Sequence, residues 1–96
     1  MRRDTAEAAV RAVVIGLVQG VGYRYYAIGH AHRLKLCGYA KNRPDGTVEA
    51  YAEGERSLLE EFLKLLRVGP VSAAVSSLSV EWLKPSGRYK SFSIEF

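Results

Sequence analysis

The residues best placed to do chemistry lie in Gly16-Leu17-Val18-Gln19-Gly20-Val21-Gly22-Tyr23-Arg24. Glycine lets a backbone turn sharply and approach a ligand, and the first amides of a helix have no intrahelical acceptor. A glycine-rich turn opening a helix therefore presents a nest of N–H donors to an anion. The same glycines are equally suited to making a tight strand-to-helix turn and nothing more. Arg24 bears on that choice. A cation in the first helical turn opposes the helix dipole by roughly 0.3 to 1 kcal/mol, so it is better explained if an anion sits beside it, although an exposed arginine tolerates that small cost. The segment is not a nucleotide signature, because the third glycine of G-x-G-x-x-G is absent and no Gly-Lys-Ser/Thr follows. Asn42 is the second candidate. It stands before a turn, where asparagine is a common structural residue, and it also offers an uncharged group that accepts a hydrogen bond from water and donates one to a phosphate.

These residues need elements to hold them. Residues 8–17 are rich in Val, Ile and Ala, which predicts a central strand buried on both faces. Tyr23, Ala27, Ala31 and Leu34 then fall on one stripe of a helix, with Arg33 and Lys35 in its last turn and Gly38 as its terminator. Two short alternating runs, 39–42 and 47–53, flank Arg43-Pro44-Asp45-Gly46 and read as a hairpin closed by Gly54. Ser57 with Glu60 suggests a capping box for a second helix carrying Leu58, Leu59, Phe62, Leu63, Leu65 and Leu66, which Gly69-Pro70 ends. Residues 75–84 and 91–96 alternate as strands, with a Pro85-Ser86-Gly87 turn between them. The order is β-α-β-β-α-β with a short final strand. This predicts an α+β fold, an antiparallel sheet with two helices on one face, formed by residues 8–96 as a single domain behind a flexible tail of residues 1–7.

The remaining composition narrows the function classes. A chain of 96 residues leaves no room for a second domain, and no apolar run approaches the roughly 20 residues that span a bilayer. With no secretory leader pattern, the sequence predicts a soluble cytoplasmic protein. Cys37 is the only cysteine, which excludes an internal disulfide and makes a small buried apolar residue its default role. A formal charge of +4 attracts anionic partners without choosing among them. His30 and His32 point in different directions on a helix and have no third ligand at metal spacing, so at least one belongs at the surface. Glu60, Glu61 and Lys64 read as a solvated helix face with an i,i+4 ion pair. Tyr25, Tyr26, Tyr39 and Tyr51 could form a stacking surface, but packing between elements is their commoner fate.

Val18-Gln19-Gly20-Val21-Gly22-Tyr23-Arg24 resembles the V-Q-G-V-x-[FY]-R signature of the acylphosphatase family, and Gly38-Tyr39-Ala40-Lys41-Asn42-Arg43-Pro44-Asp45-Gly46-Thr47-Val48-Glu49 resembles its second block, G-[WYF]-x-x-N-x-x-[DK]-G-x-V-[ET]. Gly69-Pro70 with Ala73 and Val75, and Phe92-Ser93-Ile94, match as well, so the likeness runs from about Val13 to Phe96. Tyr23 and Tyr39 stand where Phe and Trp are frequent, and neither change touches a charged group. The resemblance implies a ferredoxin-like α/β sandwich, usually monomeric, that hydrolyses acyl phosphates to a carboxylate and orthophosphate without a metal or other cofactor. It further implies a phosphate loop of Gln19, Gly20, Val21, Gly22, Tyr23 and Arg24, in which Arg24 binds the phosphate while Asn42 orients the attacking water. Inorganic phosphate and sulfate would then be competing anions.

The short residue list suits that reaction. A carboxylate with a conjugate-acid pKa of about 4 departs at neutral pH without a general acid, so no catalytic His or Glu is required. The loose transition state of phosphoryl transfer asks mainly for positioning and electrostatic stabilisation. Two other readings use the same element order. An RNA-recognition module would carry aromatics on its third strand, whereas residues 46–53 hold one aromatic and two acids that repel a phosphate backbone. An anion-binding domain of a larger maturation enzyme would keep the fold without the activity. The sequence favours a free-standing enzyme that binds neither membrane nor nucleic acid.

Overall fold

In a computed structural model of the chain, which describes residues 5–96, the elements are β1 (Glu7–Leu17), α1 (Tyr23–Arg33), β2 (Cys37–Asn42), β3 (Val48–Glu55), α2 (Arg56–Val68), β4 (Ala74–Leu83) and β5 (Phe92–Glu95). The sheet order is β4-β1-β3-β2-β5. This is the ferredoxin-like α+β arrangement, with one correction: the sheet is mixed. Where β1–β3, β1–β4 and β2–β3 are antiparallel, β5 lies parallel to β2, from Gly38↔Phe92 to Lys41↔Glu95. Chain direction explains this. The chain reverses after β4 but docks at the far edge of the sheet, beside a strand that already runs the new way.

The apolar stripes meet between the helices and one sheet face. Tyr23, Ala27, Ala31 and Leu34 of the first helical stripe pack with Leu59, Phe62 and Leu66 of α2 against Val10, Ala12, Val14, Ala40, Val48, Ala50 and Ala52. Each large side chain so buried contributes roughly 1.5 to 3 kcal/mol. β1 lies inside the sheet between β4 and the middle strand β3, and it is not buried on both faces as its composition predicts, since Arg11 and Ile15 on its other face are exposed. Both crossover helices lie on one side, and the opposite side is left open.

Several local expectations change. Gly38 does not end α1. The chain turns at Lys35, whose φ is 57°, and Gly38 sits within β2, where a Cβ would lie 1.9 Å from the Tyr51 carbonyl oxygen. Gly54 belongs to β3 and pairs with Ala8, so it does not close the hairpin. α2 starts after Glu55 with no side-chain cap, and the Ser57 hydroxyl donates to the Glu55 carboxylate in place of a capping box with Glu60. Glu60 pairs with Arg56 at 4.0 Å. Gly69 does end α2, its N–H donating to the Leu65 carbonyl. Cys37 is half-buried rather than part of the core. Of the predicted tail, residues 1–4 lie outside the described residues; β1 begins at Glu7, and the Ala6 carbonyl accepts the Arg56 N–H at 2.8 Å.

The segment joining β4 to β5, residues 84–91, is fastened by one buried carboxylate. Glu53 accepts hydrogen bonds from the Tyr51 hydroxyl, the Ser86 N–H and hydroxyl, and the Gly87 N–H. Burial opposes its charge, but the donors from Ser86, Tyr51 and Gly87 prevail and hold its pKa below the ordinary glutamate value. A depressed carboxylate pKa stabilises the fold above the unfolded-state value, and that contribution is lost as pH falls through the folded-state value. Glu53→Gln is therefore expected to lower stability by about 2 kcal/mol at neutral pH. In urea denaturation, the gap to the parent should narrow below about pH 4.

Candidate functional site

The loop between β1 and α1 owes its path to Gly20 and Gly22, whose φ angles of 75° and 77° are left-handed. No atom lies within 4 Å of a Cβ built at either position, so backbone conformation and not crowding calls for glycine there. Gly22 is the N-cap of α1, no side chain caps the helix, and no acid stands in its first turn. The opening N–H groups thus keep their partial positive charge for an anion.

Anchors on either side hold the loop. Val18 is buried, and Tyr23 turns its ring into the core, where its hydroxyl donates to the Leu66 carbonyl. Burial first, and the neighbouring Tyr26 second, push the Tyr23 phenol far above its ordinary pKa, so it stays a proton donor. The Val21 carbonyl accepts the Ser72 hydroxyl at 2.9 Å. Gln19 bridges to the hairpin, its Nε2 donating to the Arg43 and Thr47 carbonyls at 2.8 Å each. Gln19→Ala is expected to cost about 1 to 2 kcal/mol of stability. Gln19→Glu should cost more in a thermal or urea melt, because a carboxylate cannot donate and would face two carbonyl oxygens.

The bridge sets the end of β2 beside the loop. A concavity of about 190 Å³ is lined by Val18, Gly20, Gly22, Tyr23, Arg24, Tyr25 and Asn42. Gly20, Gly22, Tyr23, Arg24 and Asn42 are thus brought together, whereas Gln19 and Val21 flank the concavity as anchors. Arg24 Nη1 donates to the Glu95 carbonyl at 3.2 Å, and its guanidinium carbon lies 5.1 Å from the centre of the Phe96 ring. β5 in turn pairs with β2 as far as Lys41, next to Asn42. The site therefore combines helix-start amides, a braced planar cation and an uncharged amide, a set able to hold a tetrahedral anion and one water.

Two contributors stand outside the residues that the sequence marks for the site. Tyr25, which the sequence offers only as one of four tyrosines of a stacking surface, is exposed and lines the concavity directly after Arg24 in the first helical turn. Ser72, from the α2–β4 connection, has no signal beyond its type. His32 is exposed and bonds the Phe92 carbonyl at 2.9 Å. Among the described residues, no group of three or more His, Cys, Asp or Glu is placed to hold a metal ion, and no helix is long and apolar enough to cross a membrane.

Comparison with known proteins bears on the family and the fold. The acylphosphatase family pattern matches residues 10–94. An acylphosphatase of Dehalococcoides mccartyi is 49% identical over 88 residues, which cover 91% of this chain and 97% of that protein. The crystal structure of acylphosphatase from Bacillus subtilis superposes with a TM-score of 0.89 at 37% identity, covering 93% of this chain and 99% of the other. An acylphosphatase structure from Coxiella burnetii gives the same TM-score at 33% identity, covering 99% of each chain. Fold and relatives agree: the chain belongs to the acylphosphatase family, whose members hydrolyse the carboxyl–phosphate bond of acyl phosphates.

Proposed function

We propose that this chain hydrolyses acyl phosphates with the phosphoryl group seated on the 19–24 loop, held by backbone N–H groups and the Arg24 guanidinium, while Asn42 orients the attacking water. The observation that carries this reading is that Arg24 and Asn42 line one concavity with the two left-handed glycines. The water oxygen bonds to phosphorus, the bond from phosphorus to the carboxylate oxygen breaks, and its electron pair leaves with the carboxylate. The water proton passes to a phosphate oxygen, since no base borders the concavity. Charge growing on the equatorial oxygens meets donors fixed before the reaction begins, and that preorganisation lowers the barrier. Gln19 keeps the water-orienting and phosphate-holding parts in register by tying the hairpin to the loop. On the same reading, the enzyme works as a cytoplasmic monomer and without a metal.

Benzoyl phosphate is the direct test. The purified chain should hydrolyse it equally well before and after exhaustive EDTA treatment, with inorganic phosphate and sulfate as competitive inhibitors. Loss of turnover to EDTA that a divalent ion restores, or purely noncompetitive inhibition by phosphate, would refute this arrangement.

A further inference from the structure

The open face of the sheet carries a second concavity, of about 330 Å³, on the side away from the helices. Three cations from separate parts of the chain border it: Arg11 on β1, and Lys84 and Arg88 on the segment that crosses to β5. Tyr39, Tyr51 and Tyr89 form its aromatic side. The rings of Tyr39 and Tyr51 stack with centroids 5.6 Å apart and planes 14° from parallel, and Tyr89 tilts against both at 5.9 and 5.4 Å.

No carboxylate lines this concavity, and the three acids that stand behind its wall keep their charge but are each directed to another partner. Glu53 is engaged by Tyr51, Ser86 and Gly87, and Glu49 accepts the Tyr39 hydroxyl. Glu81 pairs with Arg11 at 3.1 Å, with both side chains substantially exposed. Among the described residues, Lys84 and Arg88 have no carboxylate partner. Like charges gathered around one hollow repel each other, and an anion seated between them relieves that repulsion. An aromatic wall adds a surface on which a planar group can stack. The volume lies at the small end of the range for ligand sites, roughly 300 to 1,000 Å³.

The geometry points to a second binding site here that takes a mononucleotide, its phosphate met by Arg11, Lys84 and Arg88 and its base lying against the tyrosine cluster. Inorganic phosphate would use the cations alone and a nucleoside the rings alone, so the nucleotide binds more tightly than either part. This site is separate from the concavity at Arg24. Asn42 lies three residues beyond Tyr39 on β2, which by strand alternation puts it on the opposite face, roughly 10 Å along the strand.

The test is an NMR titration of the full chain with AMP, adenosine, inorganic phosphate and a single-stranded oligonucleotide, run on the parent and on Arg24→Ala to remove phosphate binding at the first concavity. AMP at millimolar concentration should shift the amides of Tyr39, Tyr51, Arg88 and Tyr89 saturably, and should do so equally in Arg24→Ala. The double variant Lys84→Gln/Arg88→Gln should weaken AMP about tenfold or more while leaving benzoyl phosphate turnover unchanged. Tyr89→Leu should weaken AMP but not inorganic phosphate at these amides. Shifts confined to residues 20–25 and Asn42, or lost in Arg24→Ala, would overturn the proposal, as would unchanged AMP binding by the double variant. Phosphate binding as tight as AMP would remove the aromatic half of the site. An oligonucleotide binding far more tightly than AMP would make the face a nucleic-acid surface and overturn the mononucleotide reading.

Discussion

Arg24→Ala is expected to lower kcat for benzoyl phosphate by about three orders of magnitude or more and to weaken inorganic phosphate binding by a factor of at least roughly a hundred. The double loss follows from where the guanidinium stands. It borders the concavity beside the helix-start amides and is held by the Glu95 carbonyl, with the Phe96 ring nearby, so on the proposed reading it would meet a bound phosphate already oriented. A group that meets the anion before and during the reaction affects both ground and transition states, and the added equatorial charge of the latter makes the kcat effect the larger. Arg24→Lys should recover little, because an ammonium can supply charge but neither the planar fork nor its stacking on Phe96. Isothermal titration with phosphate, turnover measurements and circular dichroism to verify folding give the answer. Phosphate bound by Arg24→Ala as tightly as by the parent would remove the assigned role.

Asn42→Ala should separate the two quantities. Turnover is expected to fall by about two to three orders of magnitude, while phosphate binds within a few-fold of the parent affinity. Asn42 is an exposed residue at the end of β2, paired with Val48 across the hairpin, so its side chain can be cut back without opening the core. What disappears is an uncharged group that accepts from one partner and donates to another, which neither the loop amides nor Arg24 can replace, since all of these only donate. Asn42→Asp is a useful companion, because its negative charge should also repel the phosphate and raise the inhibition constant. A folded Asn42→Ala enzyme with near-parental kcat would show that the water is oriented by something else.

The sequence by itself determined those features whose causes lie within a few residues of one another. The Tyr23, Ala27, Ala31 and Leu34 stripe, the Pro44-Asp45-Gly46 turn, the stop at Gly69 and the two glycines of the loop each follow from local periodicity or from a backbone angle that few residues adopt. The two family blocks placed Arg24 and Asn42, and the structure brings both to one concavity. Only the tertiary structure decided how those parts are braced and which way the last strand runs. Gln19 reaches across 28 positions to the Thr47 carbonyl, Glu53 across 33 to Ser86, and Gly38 makes room for the backbone of Tyr51. Their partners are largely main-chain carbonyls and amides, which every residue type supplies, so no side-chain pattern marks them in advance. The parallel pairing of β5 with β2 depends on which edge of the sheet is free once β4 has taken the other, a property of the assembled sheet that no segment of the chain carries alone.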